Sequence, residues 1–301
     1  MPPAIRDTVT AAPGRYRHTL QYAGAARDIL VQIPDGYVPG RPTPLVLALH
    51  AAGRSGEAFA RLHPDLLDEA NRRGWLIAFP DGRPCLSGRG ACWPARDDPH
   101  AVALAAGDDV GFLRTLVADL QNRLAVDPAR VYATGFSNGA NMTHRLAAEA
   151  PDLIAAAAPV AGFVGRTTGR TDYAYSMAPT PTAPVPMLIV KGLQDDVVVY
   201  HGGVRPSGTF QVLAAEYDAN WWAEANGCDI SQVEKTGTTG IADRLDGPIA
   251  THDYRVGCRA GATVRLVAVA AMDHTWPGRA EGYDATHAVF GFFQRHERRS
   301  R

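Results

Sequence analysis

Two kinds of hydrophobic pattern divide the chain. Near its start, Tyr22-Ala23-Gly24 interrupts two alternating apolar and polar stretches, His18 to Gln21 and Asp28 to Ile33, which predicts an antiparallel hairpin. Beyond it the strands read as unbroken apolar runs: Leu45 to Leu49, Trp75 to Phe79, Val131 to Thr134, Ala156 to Val160, Met187 to Val190 and Val264 to Val269. Runs of this kind suit strands covered on both faces, because neither side meets water. Between them, apolar positions recur at helical spacing over Glu57 to Arg73, Asp108 to Leu124, Ala140 to Ala150, Leu213 to Asn226 and Ala285 to Arg298. Strand and helix in alternation predict an α/β fold with a mostly parallel central sheet, right-handed crossovers and helices on both faces. Sites in such sheets form beyond the carboxyl ends of the strands.

Two stretches break the alternation. Thr167 to Pro186, rich in Pro, Thr and Ser, predicts an excursion over the sheet edge, and Cys228 to Cys258 a small hairpin insertion. Neither is long enough to be a domain, so residues 1–301 are expected to form a single catalytic domain, with an ordered core over about 15–298.

Composition narrows the function. With 30 Lys+Arg against 31 Asp+Glu, the chain carries no electrostatic footprint for nucleic acid or an anionic membrane. A neutral or apolar small molecule fits better. No apolar run approaches the roughly 20 residues that span a bilayer. Met1-Pro2-Pro3 does not open a signal peptide, although a leader trimmed from the chain is compatible with the sequence. Cys85, Cys92, Cys228 and Cys258 show no C-x-x-C and no zinc-site spacing with histidine, so no metal is expected. Four cysteines allow three full pairings. Pairing by nearness, Cys85 with Cys92 and Cys228 with Cys258, closes two modest loops and implies an oxidising compartment; four reduced thiols in the cytosol are the alternative.

The chemistry concentrates where Arg130 to Thr134 runs through Gly135-Phe136-Ser137-Asn138-Gly139 into the helical pattern from Ala140. A G-x-S-x-G between strand and helix is a nucleophile elbow: the turn is sharp, and the two glycines remove side chains that would collide in it. Ser137 is then the candidate nucleophile, and the amide of Asn138 a candidate oxyanion donor at a helix N-terminus. A serine hydroxyl needs a base, and the chain order for this elbow is serine, acid, histidine. Of the histidines after Ser137, His274 lies between the last apolar run and the last helix, where a base is expected. The acid should follow Met187 to Val190; Asp195 and Asp196 both qualify by spacing. The second oxyanion donor should come from His50-Ala51-Ala52-Gly53, after Leu45 to Leu49. Ala52 is the expected donor and His50 a structural histidine of that loop.

These residues resemble the polyhydroxybutyrate-depolymerase-like and feruloyl-esterase-like secreted esterases, relatives of carbohydrate esterase family one within the α/β-hydrolase superfamily. The resemblance runs from Pro44 to about Gly278. It is carried by Gly135 to Met142, by Asp108-Asp109-Val110-Gly111-Phe112, by Trp222 with Asn226-Gly227-Cys228, and by His274-Thr275-Trp276-Pro277-Gly278. It implies the α/β-hydrolase fold, Asp195 as the acid and two disulfides by the near pairing. It further implies a cleft lined by Trp276, Tyr200 and Trp93, and a secreted or periplasmic location. The chain departs from the family at Ala51-Ala52 in the oxyanion loop, at Lys191 in place of a usual histidine, and at Leu193 and Asp273.

The expected activity is serine carboxylic-ester hydrolysis through an acyl-enzyme, polyhydroxybutyrate-depolymerase-like, without metal or organic cofactor. Within enzymes the alternative is a feruloyl or acetylxylan esterase. From another class, the alternative is a hydrolase-fold binding protein that has lost catalysis.

Overall fold

The computed structural model describes residues 12–85, 88–93, 108–167, 175–204, 211–237 and 247–298. Its strands in chain order are β1 (Gly14–Tyr22), β2 (Ala25–Ile33), β3 (Thr43–Leu49), β4 (Leu76–Pro80), β5 (Arg83–Pro84), β6 (Ala91–Cys92), β7 (Val126–Phe136) and β8 (Ala156–Val160). There follow β9 (Gly165–Thr167), β10 (Tyr175–Met177), β11 (Met187–Gly192), β12 (Gly203–Val204), β13 (Gln211–Val212), β14 (Glu234–Thr236), β15 (Ile249–Tyr254) and β16 (Val264–Val269). The α-helices are α1 (Gly56–Leu62), α2 (Pro64–Arg73), α3 (Asp109–Arg123), α4 (Asn138–Glu149), α5 (Ala215–Ala225) and α6 (Ala285–Phe293).

Ten strands form the central sheet in the order β1-β2-β4-β3-β7-β8-β11-β16-β15-β14. The six from β4 to β16 run parallel. An antiparallel hairpin closes each edge, β1 with β2 on one side and β14 with β15 on the other. This is the mostly parallel α/β sheet expected from the apolar runs, in the α/β-hydrolase arrangement that the resemblance implies.

The reason for those runs is visible in β3. Leu45, Leu47 and Leu49 enter one core while Val46 and Ala48 enter the other. On the first face the sheet meets α3, α4 and α5 through Phe112, Leu116, Leu146 and Trp222; on the second it meets α1, α2 and α6 through Phe59, Leu66 and Phe290. Burying each large apolar side chain contributes about 1.5–3 kcal/mol, so the two faces carry most of the favourable folding energy.

Three expectations are corrected. Glu57 to Arg73 is two helices, because Pro64 starts α2 and has no amide hydrogen to continue α1. The Cys228 to Cys258 stretch does hold the expected hairpin, β14 with β15, but it does not stand apart: it pairs onto β16 and extends the central sheet. The last helix stops at Phe293 rather than Arg298. The excursion after β8 supplies β9 and β10, which join β12 and β13 in a four-stranded sheet. Part of that stretch, residues 168–174, lies outside the described residues.

Candidate active site

The elbow sits where β7 ends and α4 begins. Ser137 adopts φ 55° and ψ −116°, a left-handed conformation that costs a non-glycine residue on the order of 1–3 kcal/mol. Its amide donates to the Val160 carbonyl of β8 at 3.0 Å, which helps hold the strained turn. The turn is pressed against the end of β3: a Cβ added to Gly139 would lie 2.1 Å from the Leu49 carbonyl oxygen. Glycine is needed for this approach, and it brings the loop after β3 beside the serine.

His274 and Asp195 arrive from the loops after β16 and β11, two strands paired in parallel register. His274 Nε2 lies 2.8 Å from Ser137 Oγ, and Nδ1 lies 2.8 Å from Asp195 Oδ2. The other carboxylate oxygen, Oδ1, accepts from the amides of Val197 at 2.8 Å and Val198 at 2.6 Å. With the carboxylate able only to accept, the imidazole proton resides on Nδ1, and Nε2 is left to accept from the serine hydroxyl. The Asp195 side chain is 1% exposed and that of His274 19%, so the acid is sealed and the base opens to solvent. Asp196, the competitor by spacing, is exposed. The ring of Phe136 stands 5.1 Å from that of His274 and gives the imidazole an apolar flank.

The loop after β3 is held by His50. This ring is buried and accepts from the Gly82 amide at Nε2, 2.8 Å, so Nδ1 carries the proton and donates to the Ala51 carbonyl at 2.8 Å. Burial pushes His50 down to about 4, so it is neutral at pH 7. In a trans peptide the carbonyl and the following amide point opposite ways, so the Ala52 N–H is turned away from the ring. The next amide, that of Gly53, is occupied by the Ala91 carbonyl at 2.8 Å.

The three residues expected to line a cleft are buried instead. Trp93 is 2% exposed and Tyr200 3%. The Trp93 indole donates to the His50 carbonyl at 3.1 Å, and the Tyr200 carbonyl accepts the Ala215 amide at the first turn of α5, 2.8 Å. Trp276 packs on Phe59 and His63, and its indole donates to Thr286 at 3.0 Å. The two indoles are thus tied to the core through their N–H groups, whereas the Tyr200 hydroxyl is buried without a partner among the described residues. Sequence reasoning missed the side chain of Asn138, which is bonded twice to the Trp93 backbone, and the contact of Gly82 with His50; no spacing rule links positions so far apart.

A second polar assembly lies beneath the site. Lys191 Nζ and Asp218 Oδ2 pair at 2.7 Å, both almost wholly buried, and Asp218 Oδ1 also accepts the Val164 amide at 3.2 Å. Nearby on α4, His144 accepts the Trp222 indole at Nδ1, 2.9 Å, and burial holds its pKa well below the ordinary value. Among the described residues no group of three or more His, Cys, Asp or Glu side chains is arranged to hold a metal ion. Cys85–Cys92 and Cys228–Cys258 are disulfides. No helix among the described residues is long and apolar enough to cross a membrane.

No protein-family model matches the chain. It is 30% identical over 257 residues to "Putative esterase NocK" of Nocardia uniformis subsp. tsuyamanensis, covering 80% of this chain and 69% of that protein. It is 26% identical over 264 residues to feruloyl esterase B of Piromyces equi, covering 86% of this chain but 44% of that protein, so it spans less than half the length of that relative. Among solved structures, an acetyl xylan esterase from Aspergillus awamori superposes with a TM-score of 0.59 at 18% identity, covering 88% of this chain and 94% of that one.

Proposed function

Because the chain belongs to the esterases of the α/β-hydrolase fold, we propose that Ser137, His274 and Asp195 are its catalytic triad and that it cleaves carboxylic esters through an acyl-enzyme. The observation that carries this reading is the hydrogen-bonded line from Asp195 through His274 to the strained Ser137, 2.8 Å at each step. Ser137 Oγ attacks the ester carbonyl while His274 Nε2 takes its proton; Asp195 stabilises the imidazolium and keeps the ring in orientation. The carbonyl oxygen becomes an oxyanion facing the amides of Asn138 and Ala52. His274 returns the proton to the departing alcohol, and water repeats the cycle on the acyl group.

Carboxylic-ester hydrolysis is the activity of this chain; the choice of ester is the finer proposal. Similarity to a feruloyl esterase and an acetyl xylan esterase supports feruloyl and acetyl esters, beside the hydroxybutyrate oligomers suggested by the sequence motifs. Two disulfides support a secreted or periplasmic location. Comparing methyl ferulate, acetylated xylan and hydroxybutyrate oligomers on one preparation ranks the substrates. The triad is tested by Ser137→Ala, which is expected to lose ~10⁴-fold or more in kcat on p-nitrophenyl butyrate with an unchanged Tm. Retained turnover overturns the assignment.

A further inference from the structure

We propose that the disulfide-closed hairpin of β5 and β6 is the positioning element of the oxyanion hole, setting both of its amides from outside the triad. The inference rests on the oxyanion reading given above. It starts from Trp93, the residue after β6. Its amide donates to Asn138 Oδ1 at 2.7 Å, and Asn138 Nδ2 donates back to the Trp93 carbonyl at 2.7 Å. A two-point clamp of this kind fixes the orientation of the residue that follows the nucleophile, and with it the direction of its backbone N–H.

The same hairpin grips the other loop. Ala91 accepts from Gly53 at 2.8 Å and donates to the Arg54 carbonyl at 2.9 Å. A Cβ on Gly90 would fall 2.2 Å from the Gly53 carbonyl oxygen, so the two backbones meet at a separation that only glycine permits. Gly82, one residue before β5, donates to His50 Nε2 at 2.8 Å and so fixes which nitrogen bonds Ala51. The Trp93 indole reaches the His50 carbonyl. Every peptide around Ala52 is thereby held either by the hairpin or by the ring that the hairpin orients.

A ladder of two residues per strand is too short to hold itself together in water. Two features compensate. The Cys85–Cys92 bond ties the strands across a separation of 7 residues. Below, the Arg27 guanidinium donates twice to the Asp81 carbonyl, at 3.0 and 2.8 Å, and lies 5.7 Å from the Trp93 ring. Cys228–Cys258 closes a remote part of the fold between α5 and β16 and touches neither donor loop.

The test compares Cys85→Ala with Cys92→Ala in one double variant, Asn138→Ala, and Cys228→Ala with Cys258→Ala in a second double variant. Each is normalised to active sites titrated with a fluorophosphonate. For the first two, kcat per titrated site is expected to fall by ~10–100-fold with KM within about twofold, as for a donor displaced rather than deleted. The Ki of a trifluoromethyl ketone, whose adduct presents an oxyanion, should rise by the same factor as kcat/KM falls. The remote double variant should keep wild-type kcat per titrated site. If the first double variant does not fold, Asn138→Ala carries the test alone. A kcat within twofold of wild type in Asn138→Ala, or a fall in kcat without a matching rise in Ki, overturns the proposal. Failure of the wild-type protein to react with the fluorophosphonate at Ser137 overturns the triad instead, so the two failures are distinguishable.

Discussion

Two of the polar assemblies among the described residues, one around His274 and one around Lys191, behave as opposites. Above the sheet, Asp195, His274 and Ser137 form a line that begins in a sealed carboxylate and ends at a half-exposed hydroxyl. Beneath it, Lys191 pairs with Asp218 and the Trp222 indole donates to His144, all four inside the core with no end open to solvent. Both are rich in titratable groups. Only the first joins a strained serine to an imidazole that opens to solvent, and on the triad proposed above that opening, rather than the density of ionisable groups, separates chemistry from scaffolding.

The largest effect that sharpens this contrast is at the acid. Asp195→Asn should lower kcat by ~10⁴-fold, because the amide no longer selects the tautomer in which Nε2 accepts, while Tm stays close to wild type. Asp218→Ala should do the reverse. It strands a buried ammonium and is expected to cost about 3–5 kcal/mol in denaturant unfolding, with kcat per folded molecule unchanged. Replacing both members, Lys191→Met with Asp218→Leu, should recover most of that loss, since no lone charge remains. If kcat per folded molecule fell with Asp218→Ala, the two assemblies would be one.

Smaller effects follow. Trp222→Phe leaves His144 Nδ1 without its donor and should cost about 1–3 kcal/mol, again without touching kcat. The pH dependence is of similar size for each group. His50 and His296 are pushed down to about 4 by burial, whereas the unfolded chain binds their protons near 6.5. The folded state therefore keeps its full stability above pH 6.5 and loses it as pH falls toward 4, by about 1.4 kcal/mol per pH unit for each proton taken up only on unfolding. Denaturant midpoints across pH 4–8 read this directly; a flat profile would mean that these rings titrate normally in the folded protein.

Much of this was legible in the residues, for reasons that differ from place to place. The six parallel strands announced themselves because burial on both faces leaves no polar position in a run such as Leu45 to Leu49. Ser137 stood out because a sharp turn demands glycine on both sides, and His274 because it follows the last such run. Spacing could not choose between Asp195 and Asp196, which differ only in which one turns inward, and the family resemblance chose Asp195. The break at Pro64 carried its own signal, yet helical periodicity runs across it undisturbed. β9, β10, β12 and β13 are two or three residues long, below the length at which alternation can be read. The resemblance implied that three aromatic residues line the cleft, but Trp93 and Trp276 are indoles whose N–H groups find partners inside the core. The hairpin that clamps Asn138 was invisible too: the clamp joins a side-chain amide to backbone groups 45 positions away.

The central sheet also ends in a particular way. β14, its last strand, is three exposed residues, Glu234, Lys235 and Thr236, and β1 at the other border carries Arg15 and Arg17, the former bonded to Gln32 and the latter to Glu57. A foreign strand seeking to add itself would meet a ladder of three residues on one side and solvated, paired guanidinium groups on the other. Brevity on one border and charge on the other thus discourage the pairing of this sheet with a second chain.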